Sequence, residues 1–407
     1  MILKALIFGA GSVGRGFIAQ LFHHAGMEVV FADVLPGIIE AINREHAYPH
    51  YTVRTGSVTE EILNHVSAIR SDNAEAVDRA VLEADILATA VGARVLAILA
   101  PSLARALKKR MDAGRPPLNI LLCENLHGVA KIMRTYLLQA MPEMNAAAFD
   151  ANVGLLATSI ERMIPVASEE MLRKHPAAIR VEPYPFLPYD SNAVRGRMPE
   201  IPNLIPSGSI RFEFYADRKL YVHNMGHCSC AYLAAYYGDE YIWQTVARPE
   251  VRYVLRAAMM ESSMALAKAY DADLQVLLAR VDDLLYRFSN RGLADTAERV
   301  GRDPKRKLAA GDRFLGSYEL CLRQGIPARY TSLALALGLL RLEKEAPLDA
   351  EGGIEAYLRS QNAKVLELPE AWELLQEQIA SLRKGFCFEE QLALAERIYE
   401  QPDRRRA

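Results

Sequence analysis

Ile2-Leu3-Lys4-Ala5-Leu6-Ile7-Phe8-Gly9-Ala10-Gly11-Ser12-Val13-Gly14 decides the fold of this chain. The residues up to Phe8 are mostly apolar and read as a short buried strand. A Gly-x-Gly-x-x-Gly turn follows at once, and Val13, Phe17, Ile18, Leu21 and Phe22 then fall on one helical stripe. Each glycine has a task in such a turn. Gly9 permits the tight bend, Gly11 lets backbone approach a pyrophosphate, and Gly14 lets helix and strand pack closely. The helix start offers free N–H groups and a positive dipole end to phosphates. Strand, turn and helix in this order make Gly9, Ala10, Gly11, Ser12, Val13 and Gly14 a dinucleotide-binding turn.

The neighbouring strands extend the reading. Glu28 to Ala32 reads as a second strand ending in Asp33, 19 positions after Gly14. A carboxylate there accepts both adenosine ribose hydroxyls and repels a 2′-phosphate, which favours NAD over NADP. Ala84 to Gly92 reads as another buried strand running into a glycine turn, and Asn119 to Cys123 as one more, followed by Glu124-Asn125. Residues at the carboxyl ends of parallel strands face the ligand crevice, so Val91, Gly92 and Asn125 are expected at the nicotinamide half. Asn125 reads equally well as a carbonyl-polarising donor or as a cap for the following helix.

At 407 residues the chain is long enough for two domains with substantial cores. Alternating strand and helix patterns to about Pro165 predict an α/β, doubly wound sheet of Rossmann type, with residues 48–70 as a small β excursion at its edge. Residues 181–208 are rich in proline and turn formers and read as a connector. Helical patterns follow, among them Val251 to Tyr270, Ser332 to Lys344, Leu368 to Leu382 and Phe388 to Tyr399. The expected division is 1–195 for a dinucleotide-binding domain and 196–407 for a mainly α-helical C-terminal domain.

Charge is nearly balanced, formally −2, which gives no reason to expect nucleic-acid or membrane partners. No stretch has the length and apolarity of a membrane span, and the N-terminal strand lacks a signal peptide's cleavage region, so a cytoplasmic protein is expected. The five cysteines, Cys123, Cys228, Cys230, Cys321 and Cys387, contain no C-x-x-C pair and read as reduced thiols. Cys228-x-Cys230 beside His227 has the wrong spacing for a common structural zinc site, so no metal is expected.

The chemistry is expected in Asp217-Arg218-Lys219-Leu220-Tyr221-Val222-His223-Asn224-Met225-Gly226-His227. On a continuous α-helix Lys219, Asn224 and His227 fall within an arc of about 140° and can face one cavity. A lysine whose pKa falls from its usual value of about 10.4 can take a proton from an alcohol. An asparagine amide can donate to an oxygen where negative charge develops, and a histidine can hold a further hydroxyl. Farther on, Val300 to Arg313 gathers five cations, Arg302, Lys305, Arg306, Lys307 and Arg313. Such a run is either solvated surface or an anchor for a phosphorylated substrate.

With these residues in place the chain resembles the polyol-specific long-chain dehydrogenase/reductase (mannitol dehydrogenase) family. The likeness covers nearly the whole length: Phe8–Phe17, Phe31–Val34, Thr89–Gly92, Cys123–Asn125, Glu161–Pro165, Asp217–Leu220, Asn224–His227 and Val300–Arg313. It implies a Rossmann domain, a helical C-terminal domain, NAD as cofactor and metal-free chemistry with Lys219 as general base. It further implies that Asn125 and Asn224 hold the reacting oxygen and that His227 binds a substrate hydroxyl. The Arg302–Arg313 run becomes a phosphate or substrate contact, and Glu161, where relatives usually carry aspartate, joins the substrate side. The implied reaction interconverts D-mannitol 1-phosphate and D-fructose 6-phosphate with NAD(H), in a monomer. The alternatives are a sibling enzyme of a free polyol or hexuronate, and a non-catalytic NAD-binding protein.

Overall fold

The computed structural model describes residues 2–346, 348 and 352–396. The chain divides into two compact units, Met1–Phe212 and Glu213–Ala407. In chain order the first eight strands are β1 (Lys4–Phe8), β2 (Glu28–Asp33), β3 (Ala47–Arg54), β4 (Ser57–Asn64), β5 (Val66–Arg70), β6 (Ile86–Thr89), β7 (Leu118–Leu122) and β8 (Val153–Ala157). Six of them form one parallel sheet in the order β5-β2-β1-β6-β7-β8. This is the Rossmann order. The winding reverses between β1 and β6, which places the ligand crevice beyond Phe8 and Thr89.

The side-chain alternation of β1 explains why its run is continuously apolar. Ala5 and Ile7 belong to the core on one face of the sheet, Leu6 and Phe8 to the core on the other. A strand covered on both faces has no solvent side on which to carry polar residues.

The β excursion is smaller than the sequence suggests. β3 and β4 form an antiparallel hairpin, joined by β9 (Ile179–Val181) into a three-stranded sheet. Val66 to Arg70, expected within that excursion, is instead the edge strand β5 of the main sheet, in register with β2 from Val29↔Val66 to Asp33↔Arg70. The connector carries β10 (Leu187–Tyr189) paired in parallel with β11 (Leu204–Pro206). Residues 196–212, assigned to the second part from the sequence, lie with the first unit. The fully buried Asn119 of β7 accepts from the Arg195 amide at 2.8 Å and donates to the carbonyls of Arg195 and Arg197 at 3.0 and 3.2 Å. Proline content marked a connector; the buried Asn119 amide and the packing of Ile201 in the first unit's core hold it to that unit.

The second unit is helical. Its main helices, Pro249–Tyr270, Arg329–Glu345, Pro369–Lys384 and Phe388–Glu396, match the expected stretches, with 397–399 of the last outside the described residues. Buried Glu261 ties two of them together by accepting the Arg329, Tyr330 and Thr331 amides at 2.8–3.1 Å, at the start of Arg329–Glu345. Among the described residues no helix is long and apolar enough to cross a membrane.

Two glycines of the turn separate packing from ligand access. A Cβ on Gly14 would stand 2.0 Å from the Gly9 carbonyl oxygen, whereas one on Gly11 would meet nothing within 4 Å. Gly14→Ala is therefore expected to destabilise the first unit by about 1–3 kcal/mol, while Gly11→Ala leaves its melting temperature close to wild type. Thermal unfolding followed by circular dichroism checks both; equal losses would contradict this division of roles.

Candidate active site

The dinucleotide half is built at the β1–β2–β6 edge. The Gly9 amide donates to the Ala32 carbonyl at 2.9 Å, and the Ala90 amide to the Phe8 carbonyl at 2.7 Å. Gly9 adopts φ +100°, and a Cβ there would lie 2.5 Å from the Ala90 oxygen, so the strand ends meet only because this residue is glycine. Buried Ala10 donates its amide to Asp33 Oδ2 at 2.6 Å, while Asp33 Oδ1 accepts the Val34 and Leu35 amides at 2.7 and 2.9 Å. Gly11 and Ser12 are exposed, and half-buried Val13 packs on the core. A cleft of about 640 Å³ opens here, lined by Gly9, Gly11, Asp33 and Val91 with apolar walls from Val34, Leu35, Val95 and Ile98. A carboxylate at a strand end, bare backbone at Gly11 and apolar walls for a purine ring fit a dinucleotide.

Beyond β6 and Ala90 come half-buried Val91 and exposed Gly92 (φ +86°). Buried Glu124 clasps this turn, accepting from Thr89 Oγ1 at 2.7 Å and from the Val91 amide at 3.1 Å. Burial pushes the Glu124 carboxyl above the usual carboxylate range, against those hydrogen bonds. Asn125 is exposed at the carboxyl end of β7. It does not cap the next helix, Val129–Gln139, whose N-cap is Gly128. Glu161 lies four residues beyond β8 and is 2% exposed. Its neighbour Arg162 donates to the Gly16 and Glu182 carbonyls and to Gln20.

The segment expected to carry the chemistry is not a continuous α-helix. Helix Glu213–Arg218 passes into a π-helical stretch, Lys219–Asn224, and then into helix Met225–Tyr237. The i→i+5 pairing of a π-turn sets Lys219 and Asn224, five residues apart, nearly one above the other. The wide arc expected on an α-helix is thereby narrowed. Asn224 sits within continuous helical backbone and its side chain makes no capping bond. Lys219 and Asn224 are half-buried. His227 stacks on Phe288, centroids 4.7 Å apart at 14°, and its Nε2 lies 3.1 Å from Asp295 Oδ2. Arg299 holds the other Asp295 oxygen from Nε at 2.9 Å. Burial alone would raise the Asp295 carboxyl, but His227 and Arg299 hold it below the usual range.

The basic run is a short helix, Pro304–Lys307, with flanking turns, and acids are interleaved with its cations. Exposed Arg302 pairs with Glu298 at 3.3 Å, Arg306 with Asp303 at 2.8 Å and Asp312 at 3.7 Å, and Arg313 with Asp312 at 2.9 Å. Lys307 is buried and donates to the Val300 carbonyl at 2.6 Å, while Lys305 is exposed. The cysteines are free thiols, and Cys228 and Cys230 are buried.

Residues 3–203 match the mannitol dehydrogenase Rossmann domain and residues 211–364 the mannitol dehydrogenase C-terminal domain. The chain belongs to the mannitol dehydrogenase family. Among solved structures it is similar to Pseudomonas fluorescens mannitol 2-dehydrogenase, in a ternary complex with NAD and D-mannitol. That likeness has 16% identity and a TM-score of 0.70, over 99% of this chain and 95% of the other. A D-sorbitol dehydrogenase in substrate-free form matches at 17% identity and a TM-score of 0.76, over 97% of this chain and 95% of its own. At such identities the likeness is one of fold.

Two residues of this family member escaped the sequence reading, Glu124 and Asp295. Glu124 stands in the quoted Cys123–Asn125 triplet, yet nothing in its spacing shows that it clasps Thr89 and Val91. Asp295 lies 68 positions after His227, and only the fold joins them. A carboxylate held below its unfolded pKa contributes stability that is present above that value and lost as pH falls through the folded one. Asp295→Asn is therefore expected to destabilise the protein by about 1.5–3 kcal/mol near neutral pH. The deficit relative to wild type should shrink as pH drops below about 4. Urea midpoints at several pH values measure it, and a deficit independent of pH would remove the charge from the explanation.

Proposed function

We infer that this chain is an NAD(H)-dependent polyol dehydrogenase that interconverts D-mannitol 1-phosphate and D-fructose 6-phosphate without a metal, a mannitol-1-phosphate 5-dehydrogenase. The observation that carries the reading is the set Lys219, Asn224 and His227 on one π-interrupted helical run, in a chain of the mannitol dehydrogenase family. The phosphate is supported by the sequence likeness over nearly the whole chain and by the cations between Arg302 and Arg313. For NAD the support is the open backbone at Gly11 and the Asp33 carboxylate at the cleft.

Asp33 would hold the adenosine ribose, with the amides at Gly11 to Val13 turned to the pyrophosphate. When bound, the nicotinamide supplies hydride acceptance and donation. Lys219 takes the hydroxyl proton as the alcohol is oxidised and returns it when the ketone is reduced. Asn224, and Asn125 by family likeness, donate amide hydrogens to the reacting oxygen, where negative charge develops. His227, whose Nε2 lies 3.1 Å from Asp295 Oδ2, would hold a second substrate hydroxyl, as the family likeness implies.

Lys219→Ala should lower turnover by at least about 10²-fold while NADH binding persists. Turnover near wild type would remove Lys219 as the base. The pairing of Arg302, Arg306 and Arg313 with acids of their own segment favours a second reading, in which the substrate is a free polyol or a hexuronate. NADH oxidation with fructose 6-phosphate, fructose and keto-uronates separates the two. On the phosphate reading Arg306→Ala or Arg313→Ala raises KM for fructose 6-phosphate by about tenfold or more and scarcely alters the activity on fructose. Equal use of fructose and its phosphate would give the sibling reading the decision.

A further inference from the structure

Asp33 accounts for recognition of the ribose hydroxyls, yet the cleft carries a second carboxylate that this role does not use. Asp33 and Arg70 are registered partners at the ends of β2 and β5. The turn after β5 is tied back to β2, the Ser71 amide donating to the Asp33 carbonyl at 2.9 Å. On that turn Asp72 lines the same cleft as Asp33. Arg70 grips Asp72 with both forks of the guanidinium, Nε to Oδ1 at 2.8 Å and Nη2 to Oδ2. Arg70 stands behind Asp72 rather than on the cleft wall; the arginine that lines the cleft, Arg105, is itself held, its Nε 3.1 Å from Asp78 Oδ1.

A planar guanidinium beside the ribose is the group that binds a 2′-phosphate, through two parallel hydrogen bonds. Here that group stands one strand away from Asp33 and is already occupied. We propose that Asp72 is a specificity-determining residue for the dinucleotide: it engages Arg70, the cation that would otherwise meet a 2′-phosphate, and adds a second negative charge to the cleft. The proposal rests on the NAD(H) reading above and deepens it. Asp33 selects for hydroxyls by accepting from them; Asp72 selects against the phosphate by removing its partner. The Arg70–Asp72 pair is solvent-exposed, at 48% and 56% of the side chains, so the turn keeps its shape without it.

The test is direct binding of NADH and NADPH to the full chain, followed by nicotinamide fluorescence with no sugar present, for wild type, Asp72→Asn, Arg70→Ala and the double variant. The ratio Kd(NADPH)/Kd(NADH) is expected to fall about threefold to fivefold in Asp72→Asn, the scale of an exposed ion pair whose loss frees Arg70 for the phosphate. It should return to the wild-type ratio or above when Arg70→Ala is added. NADH binding in each variant reports the fold. A ratio unchanged in Asp72→Asn, or a fall that survives removal of Arg70, overturns the proposal. Wild-type protein that binds neither dinucleotide overturns it together with the cofactor reading. A failed sugar screen with dinucleotide binding intact strikes the substrate reading alone.

Discussion

The hydrogen bond from the Ala10 amide to Asp33 Oδ2, 2.6 Å long, is the constraint on which the first unit depends. It joins the turn after β1 to the end of β2, and the other Asp33 oxygen fixes the first two amides of the following loop. With those ends pinned, the turn has one way to reach its helix: through Gly9 at φ +100° under the Ala90 carbonyl, and past the Gly9 oxygen at Gly14. The same atoms shape the cleft. A carboxylate spent on backbone amides still has lone pairs to offer, so on the proposed reading Asp33 would serve both the fold and the choice of ligand.

In the second unit the comparable constraint is the π-stretch Lys219–Asn224. One extra residue in a helical turn weakens the regular pairing and persists only when its surroundings hold it. They do so closely. Gly226 lets helix Met225–Tyr237 approach Met259, whose sulfur would lie 2.5 Å from a Cβ at that position. Tyr221 donates to the Gly311 carbonyl at 3.2 Å, and Tyr270 donates to Asp217 at 2.6 Å. What the distortion secures is register: Lys219 and Asn224, five residues apart, lie closer on one face than a regular helix would set them.

Most of the first unit was legible because its signals are local. Glycines at fixed offsets, a strand before them and a carboxylate after the next strand each act within a few residues. The helices of the second unit were legible by periodicity. Val66–Arg70 was misplaced because an edge strand and a hairpin strand alternate alike, and only pairing with β2 separates them. The π-turn was invisible because hydrophobic spacing at 3.6 residues per turn continues on both sides of it. Asp295 and Glu124 were missed for a different reason. A buried acid that orients a histidine or clasps a turn has no spacing rule; its partner is set by tertiary structure, 68 residues away for Asp295 and 35 for Glu124.

The basic run shows the same limit from the opposite side. Sequence counted five cations between Arg302 and Arg313, but charge in a folded chain is a property of pairs. Lys307 has left the surface altogether, and Asp312 stands between Arg306 and Arg313 at 3.7 and 2.9 Å. A phosphate arriving here has to replace Asp312 as their partner, and the two arginines differ in how readily they allow it. Arg306 is 55% exposed, so its ion pairs lie in water and exchange at little cost. Arg313 is 11% exposed, where a vacated carboxylate partner is more costly to lose. An anion at this segment would therefore be met first by Arg306 swinging from its acids. It would be held only if the displaced Asp312 found new donors, so on the phosphate reading discrimination at this segment would come down to a competition between one aspartate and one phosphate.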